Sequence, residues 1–258
     1  MKRDSLGLIG VGSFGSFAAQ HLAQHFDLVL FDAFGDVSAL AKKLKARKGD
    51  LKAAAACDVV LLAVPVQEMK KVLAEIAPHL KKDALVIDVA SVKIKPVAAM
   101  LELLPKSVSI VGTHPLFGPQ SGKAGIKGLN IAVCEVRGGH GPCVARFCIA
   151  KLGLRVTEVT PEEHDHEAAY VQGLTHMLAK IVLSLNLPEM RFPTYTYELM
   201  QQMVEMVRYD SEELFRAIER ENPFSEEAKK AFFTAARELE DKLANGNGRY
   251  NAWVLLEK

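Results

Sequence analysis

The chain has 258 residues, enough for one large domain or two modest ones, and 49% of them are apolar, so a substantial core can form. A formal net charge of +1 gives no electrostatic case for nucleic acid or an anionic membrane as partner. The four cysteines (Cys57, Cys134, Cys143, Cys148) show neither C-x-x-C pairing nor zinc-type spacing, so no metal is expected and reduced thiols in a cytoplasmic protein are.

The opening MKRDSLGLIGVG breaks its apolar run into glycines within a few residues, unlike a signal peptide. No stretch approaches the ~18 uninterrupted apolar residues of a membrane span. Short runs rich in Val, Ile and Leu predict strands at 6–10, 28–32, 58–64, 84–89, 109–112, 130–136 and 155–159. Helices are expected between them at 14–25, 36–46, 67–76, 93–103 and 142–152. Strands so continuously apolar, alternating with helices, predict an α/β fold: a doubly wound Rossmann-type parallel sheet covered on both faces. From Pro161 onward, behind Thr160 as a candidate N-cap, the strand signal stops. Helical patterns follow at 161–185, 194–208, 211–221 and 225–244, broken at Leu187-Pro188 and Asn222-Pro223. The expected division is a dinucleotide-binding domain over 1–160 and an all-helical domain over 161–258, whose many apolar residues suit a homodimer interface.

LIGVGSFGS sets Gly10, Gly12 and Gly15 at G-x-G-x-x-G spacing, directly after the first strand and opening a helix. Such a turn lets a backbone approach a pyrophosphate and aims the helix N-terminus at it, with Ser13 and Phe14 in the first turn. Asp32 ends the second strand, 20 residues past Gly12, where a carboxylate accepts hydrogen bonds from ribose hydroxyls and repels a 2′-phosphate. The pattern predicts NAD as cofactor, with NADP as the alternative. Val64-Pro65 and DVASVK (88–93) end the third and fourth strands at the same sheet edge, where Ser91 and Lys93 face the crevice or Lys93 simply opens a solvated helix. THPLFGPQSG (113–122) holds His114 between Thr113 and Pro115 and predicts a stiff loop. A histidine fixed beside a nicotinamide suits removal of an alcohol proton while the hydride leaves carbon.

VGTHPLFGPQSGKAGIKGL, with DVASVK before it and EEHDHEAAYVQGLTH after it, resembles the prephenate/arogenate dehydrogenase family of tyrosine biosynthesis. The likeness is to the compact plant-type and related bacterial members and runs from about Leu6 to Asn222. It implies oxidative decarboxylation of arogenate or prephenate to tyrosine or 4-hydroxyphenylpyruvate: hydride leaves ring C4 for the cofactor, the hydroxyl proton goes to His114, and the ring carboxylate departs as carbon dioxide. It further implies that Ser91 hydrogen-bonds both His114 and the C4 hydroxyl, and that Gln120, Ser121, Gln172, Thr175 and His176 contact substrate. Glu205 falls where arogenate-using plant members carry an acid, so arogenate is the favoured substrate, and Arg208 one turn on would serve a carboxylate. His164, Asp165 and His166 look metal-like in isolation, but i and i+2 point different ways on a helix, and a solvated helix start is expected there.

Two other readings compete. β-Hydroxyacid dehydrogenases rely on a lysine in the helix after the nucleotide domain, and Lys180 is the only lysine within 161–185. A protein that senses NAD(H) without turnover would keep the glycine turn but has no use for His114. With 258 residues, no regulatory or chorismate mutase module is expected.

Overall fold

The computed structural model describes residues 3–244, so the last part of the expected helical domain, 245–258, lies outside the described residues. One eight-stranded sheet runs in the order β3-β2-β1-β4-β5-β6-β7-β8. Its strands are β1 (Ser5–Ile9), β2 (Asp27–Phe31), β3 (Arg47–Lys48), β4 (Val59–Leu62), β5 (Leu85–Asp88), β6 (Ser109–Pro115), β7 (Asn130–Arg137) and β8 (Arg155–Glu158). Chain order reverses between β1 and β4, which makes their carboxyl ends the switch point where open α/β sheets bind ligands.

The expected all-parallel sheet needs correction in one place. β6 and β7 pair antiparallel, with His114 opposite Ala132 and Pro115 opposite Ile131, while β7 and β8 are parallel to each other. Only a loop, with no crossover helix, lies between β6 and β7, and a parallel connection needs a crossover. The two-residue β3 and the short helix α3 (Leu51–Ala55) carry too little pattern to be read from sequence.

Alternation along each strand feeds two cores. Leu6 and Leu8 of β1 join Leu28, Leu30 and Leu61 under Ala19 and Leu22 of α1 (Ser13–Leu22) and Ala41 of α2 (Ser38–Leu44). On the other face Ile9, Val60, Leu62, Val86 and Ile110 pack on Met69 and Leu73 of α4 (Val66–Ile76) and on Val97 and Met100 of α5 (Ile94–Leu103). Each such side chain contributes ~1.5–3 kcal/mol when fully buried. α6 (Gly141–Leu152) covers the β6–β7 end through Val144 and Cys148.

The helical half starts where the sequence indicated. Thr160 Oγ1 accepts the Glu163 N–H at 3.2 Å and the Glu163 carboxylate accepts the Thr160 N–H at 2.8 Å, a capping box opening α7 (Pro161–Ala168). A π-helical stretch, Ala169–Leu174, interrupts the long helix expected at 161–185 before α8 (Thr175–Ser184). α9 (Tyr195–Arg208) lies against α8 through Ala179, Val182, Val204 and Val207. α10 (Glu212–Arg216), a second π-helical stretch (Ala217–Glu221) and α11 (Ser225–Ala244) complete the described chain.

Candidate active site

At the switch point the glycine turn has the shape a nucleotide needs. Gly10 has φ +91°, and a Cβ on it would lie 2.4 Å from the Ala63 carbonyl oxygen; one on Gly15 would lie 2.0 Å from the Gly10 carbonyl oxygen. Both positions admit only glycine, and their tightness brings α1 down onto β1 and β4. A Cβ on Gly12 would meet nothing within 4 Å, so this backbone faces open space at the N-cap of α1, and no side chain caps the helix there. Ser13 and Phe14 supply first-turn N–H groups, and the helix dipole favours an anion beside them. Val64 and Pro65 form the opposite lip, Pro65 as the N-cap of α4. Asp32 stands just past β2. Its Oδ2 accepts the Val11 N–H at 2.7 Å, and its Oδ1 accepts those of Phe34 and Gly35 at 2.9 and 2.7 Å. Burial raises its pKa, but these three donors outweigh that and hold it below the ordinary aspartate value, ionised and in place. The residues therefore fit a dinucleotide: an open phosphate cradle and a fixed carboxylate at the end of β2.

Three strands from β1 along the same edge sits His114. The stiff loop expected at 113–115 is instead the last part of β6, which outruns β5 by three residues and is held by β7. Beneath it lies a buried ion pair. Lys93, placed at the N-cap of α5, is fully enclosed rather than solvated; its Nζ donates to Asp88 Oδ2 and, at 2.6 Å, to the Thr113 carbonyl. Thr113 Oγ1 returns a 2.7 Å hydrogen bond to the Asp88 carbonyl, so β5 and β6 are clasped one residue before His114. Burial raises the Asp88 pKa, opposed by Lys93 and by the Ala90 N–H.

His114 itself is buried, and its Nδ1 lies 2.9 Å from His164 Nε2. His164 Nδ1 is 2.8 Å from Asp165 Oδ1, and Asp165 accepts the Lys93 and Ile94 N–H groups at 2.6 and 2.9 Å. The solvated helix start expected at 164–166 is thus corrected: His164 and Asp165 are buried and only His166 is exposed. Ser91 is buried close by in the chain, yet among the described residues it makes no hydrogen bond to His114, whose Nδ1 is taken by His164.

The remaining candidates divide between wall and surface. Gln172 lies in the π-helical stretch and His176 one turn on; Gln172 Oε1 and His176 Nδ1 are both buried without a hydrogen-bond partner. The nearest acid to His176 is Asp210, at 3.7 Å, a residue the sequence reading passed over. Thr175 donates to the Val171 carbonyl at 2.7 Å and so serves its own helix. Glu205 and Arg208 are exposed and pair with each other at 2.8 Å. Arg208 also lines an open cavity of about 770 Å³ with Val182, Asn186, Tyr197 and Gln201, none of them near His114 in the hydrogen-bond network. Gln120 and Ser121 sit exposed in the β6–β7 loop, where Ser121 Oγ accepts the Gly118 N–H at 3.0 Å. Lys180 lies over the Phe215 ring, 5.7 Å from its centroid, which gives the rival catalytic lysine a packing role.

Burial lowers the pKa of His114 well below 6.5, with His164, Lys93 and His176 adding to the shift, so this imidazole is neutral at neutral pH. Burial, then Lys180, lowers His176 to about 4. Unfolded histidine takes its proton near pH 6.5 while these folded ones do not, so stability present above that pH is lost on acidification towards 4. His176 alone accounts for about 3 kcal/mol over the window. Asp210 and Glu219, raised by burial, offset part of it. Urea midpoints at pH 7 and pH 4.5 should show the loss in the unmodified protein and a smaller one in His176→Asn; equal losses would exclude His176 as a cause.

Residues 26–129 match the family described as "Prephenate dehydrogenase, nucleotide-binding domain". The chain is 31% identical over 229 residues to arogenate dehydrogenase 2, chloroplastic, of Arabidopsis thaliana, covering 84% of this chain and 64% of that protein. It is 30% identical over 206 residues to the probable arogenate/prephenate dehydrogenase of Methanocaldococcus jannaschii, covering 76% of this chain and 46% of the relative. The chain therefore spans less than two thirds of the length of these relatives. Among solved structures, a prephenate dehydrogenase from A. aeolicus in complex with hydroxyphenyl propionate and NAD+ superposes with TM-score 0.74 at 18% identity, covering 95% of this chain and 92% of that one. An arogenate dehydrogenase from Synechocystis gives 0.70 at 17%, covering 94% and 92%. These likenesses show a shared fold: a Rossmann-like sheet followed by a helical region. No helix among the described residues is long and apolar enough to cross a membrane.

Proposed function

We propose that this protein is an NAD-dependent dehydrogenase that oxidatively decarboxylates a cyclohexadienol of the arogenate/prephenate class. The observation that carries the reading is a buried, neutral His114 at the carboxyl edge of a prephenate dehydrogenase nucleotide-binding domain, on the same edge as an open phosphate cradle. Gly10, Gly12, Gly15 and the first turn of α1 would hold the pyrophosphate and Asp32 the ribose, which favours NAD over NADP. When bound, the nicotinamide supplies a hydride acceptor. His114 takes the proton of the C4 hydroxyl as the hydride leaves C4; when carbon dioxide departs, its bonding pair runs through the ring to that oxygen, and His114 returns the proton to give the phenol. The unpartnered Gln172 and His176 polar atoms supply a wall for the substrate, with Gln120 and Ser121 on the loop above, and Ser91 beside the reacting hydroxyl. The two halves divide at residue 160. Exposed Leu185, Phe192, Tyr195, Met206 and Tyr209 support a homodimer through the helical half, and four free cysteines support a reducing compartment such as the cytoplasm.

Arogenate leads prephenate in this reading because relatives named arogenate dehydrogenases match over most of the chain. The exposed Glu205–Arg208 pair lends the preference no geometric support, so the pair belongs to it only if a second protomer encloses it. Initial rates with arogenate and prephenate, each with NAD and NADP, are the test. Arogenate with NAD should be fastest; a higher kcat/KM with prephenate reverses the preference, and no nicotinamide reduction in any combination overturns the function.

A further inference from the structure

A neutral imidazole carries one ring proton, and the nitrogen that holds it decides whether His114 can accept another. At the far end of the histidine pair the choice is settled by Asp165. Its carboxylate already accepts two main-chain N–H groups at the start of α5, and an ionised carboxylate only accepts, so His164 Nδ1 must be the donor in the 2.8 Å contact. A neutral His164 then offers a lone pair at Nε2. The contact at 2.9 Å therefore requires the proton of His114 to be on Nδ1. We propose that His164 and Asp165 are positioning residues that hold His114 as its Nδ1–H tautomer, leaving Nε2 as the basic nitrogen for the incoming hydroxyl.

This rests on His114 being the base of the proposed reaction. The substrate hydroxyl gives its proton to Nε2, Nδ1 keeps its own and still donates it to His164, and the positive charge formed faces a hydrogen-bond chain ending in a carboxylate. Around His114 stand His164 and Asp165 from α7, His176 from α8, Lys93 before α5 and Asp88 at the end of β5. Burial and the Lys93 ammonium oppose a charge there, and the Asp165 carboxylate ends the hydrogen-bond chain on the Nδ1 side. The rings meet at 67° with centroids 5.0 Å apart, and both are buried, so water does not compete for the contact. Were His164 charged instead, its Nε2 would donate and force the proton of His114 onto Nε2, where nothing could be accepted.

Nitrogen-15 NMR of histidine-labelled protein reads the tautomer directly, with the His114→Asn variant identifying the signals. At neutral pH His114 should show a protonated, pyrrole-type Nδ1 and a bare, pyridine-type Nε2. His164→Phe, which keeps a ring but removes the acceptor, should shift His114 towards the Nε2–H form and lower kcat by roughly 10²–10⁴-fold. His164→Gln, whose amide oxygen can accept from Nδ1, should recover much of both. An Nε2–H signal in the unmodified protein overturns the proposal, and so does a His164→Phe variant with unchanged spectrum and turnover. If that variant does not fold, the unmodified spectrum alone decides. Near-normal turnover in His114→Asn would overturn the base assignment while leaving the tautomer reading intact, so the two failures can be told apart.

Discussion

His114→Asn should lower kcat by roughly 10²–10⁴-fold, the usual contribution of a placed general base, with nicotinamide cofactor affinity little changed. The asymmetry follows from where the residue sits. The cradle for the nucleotide is built from Gly10, Gly12, Gly15 and Asp32 on the β1 and β2 side of the switch point, and His114 touches none of them. Asparagine keeps a polar group near His164 but cannot take a proton. Single-turnover rates, beside cofactor titration by protein fluorescence, separate chemistry from binding. Turnover within a few fold of normal would remove His114 from the reaction. In the unmodified enzyme, activity should persist well into acid solution, because burial keeps the base form populated below pH 6.5; the fall in kcat/KM should come where His114 finally protonates.

The second large effect concerns folding. Asp88→Ala leaves the Lys93 ammonium buried with only the Thr113 carbonyl as partner, and breaking a buried pair on one side typically costs 3–5 kcal/mol. For a chain of this length that is a fall in Tm on the order of 10 °C. The double variant Asp88→Leu/Lys93→Met removes both charges and should recover most of the loss, since replacing a whole buried pair by apolar side chains is often close to neutral. Thermal melts of the three proteins distinguish the cases: an Asp88→Ala melt within ~2 °C of normal would mean the pair carries no charge worth protecting. The double variant should nonetheless turn over more slowly, because the Lys93 Nζ bond to the Thr113 carbonyl is lost and only the Thr113 Oγ1 bond to the Asp88 main-chain carbonyl still ties β6 to β5 beside His114.

Much of this architecture is legible in the amino-acid pattern, and the failures share a cause. The glycine turn, Asp32, the seven longer strands and the Thr160 cap are local features, written in neighbouring residues and read by spacing alone. Missing were properties that depend on what packs above. Lys93 and the pair His164-Asp165 look like ordinary surface polar residues, and only their mutual burial changes that. A signal for the second was present: residues 164, 165, 168 and 169 recur at helical spacing as a buried stripe, while 166 and 167 stay exposed. Comparing His164 with His166 alone hid it. Likewise the end of β6 reads as a loop because prolines and glycines crowd it, although Pro115 is an acceptable last residue for a strand.

The reversal of direction at β7 has an evolutionary reach. Because β6 ends and β7 begins at the same sheet edge, closed by the Leu116 N–H to Asn130 carbonyl bond at 3.0 Å, the intervening segment is a hairpin tip that follows almost directly on His114. Lengthening a flexible tip costs only a fraction of a kcal/mol for each few residues added. New substrate shapes can therefore be explored by insertion and deletion in that tip, while the strand that aims the imidazole keeps its register.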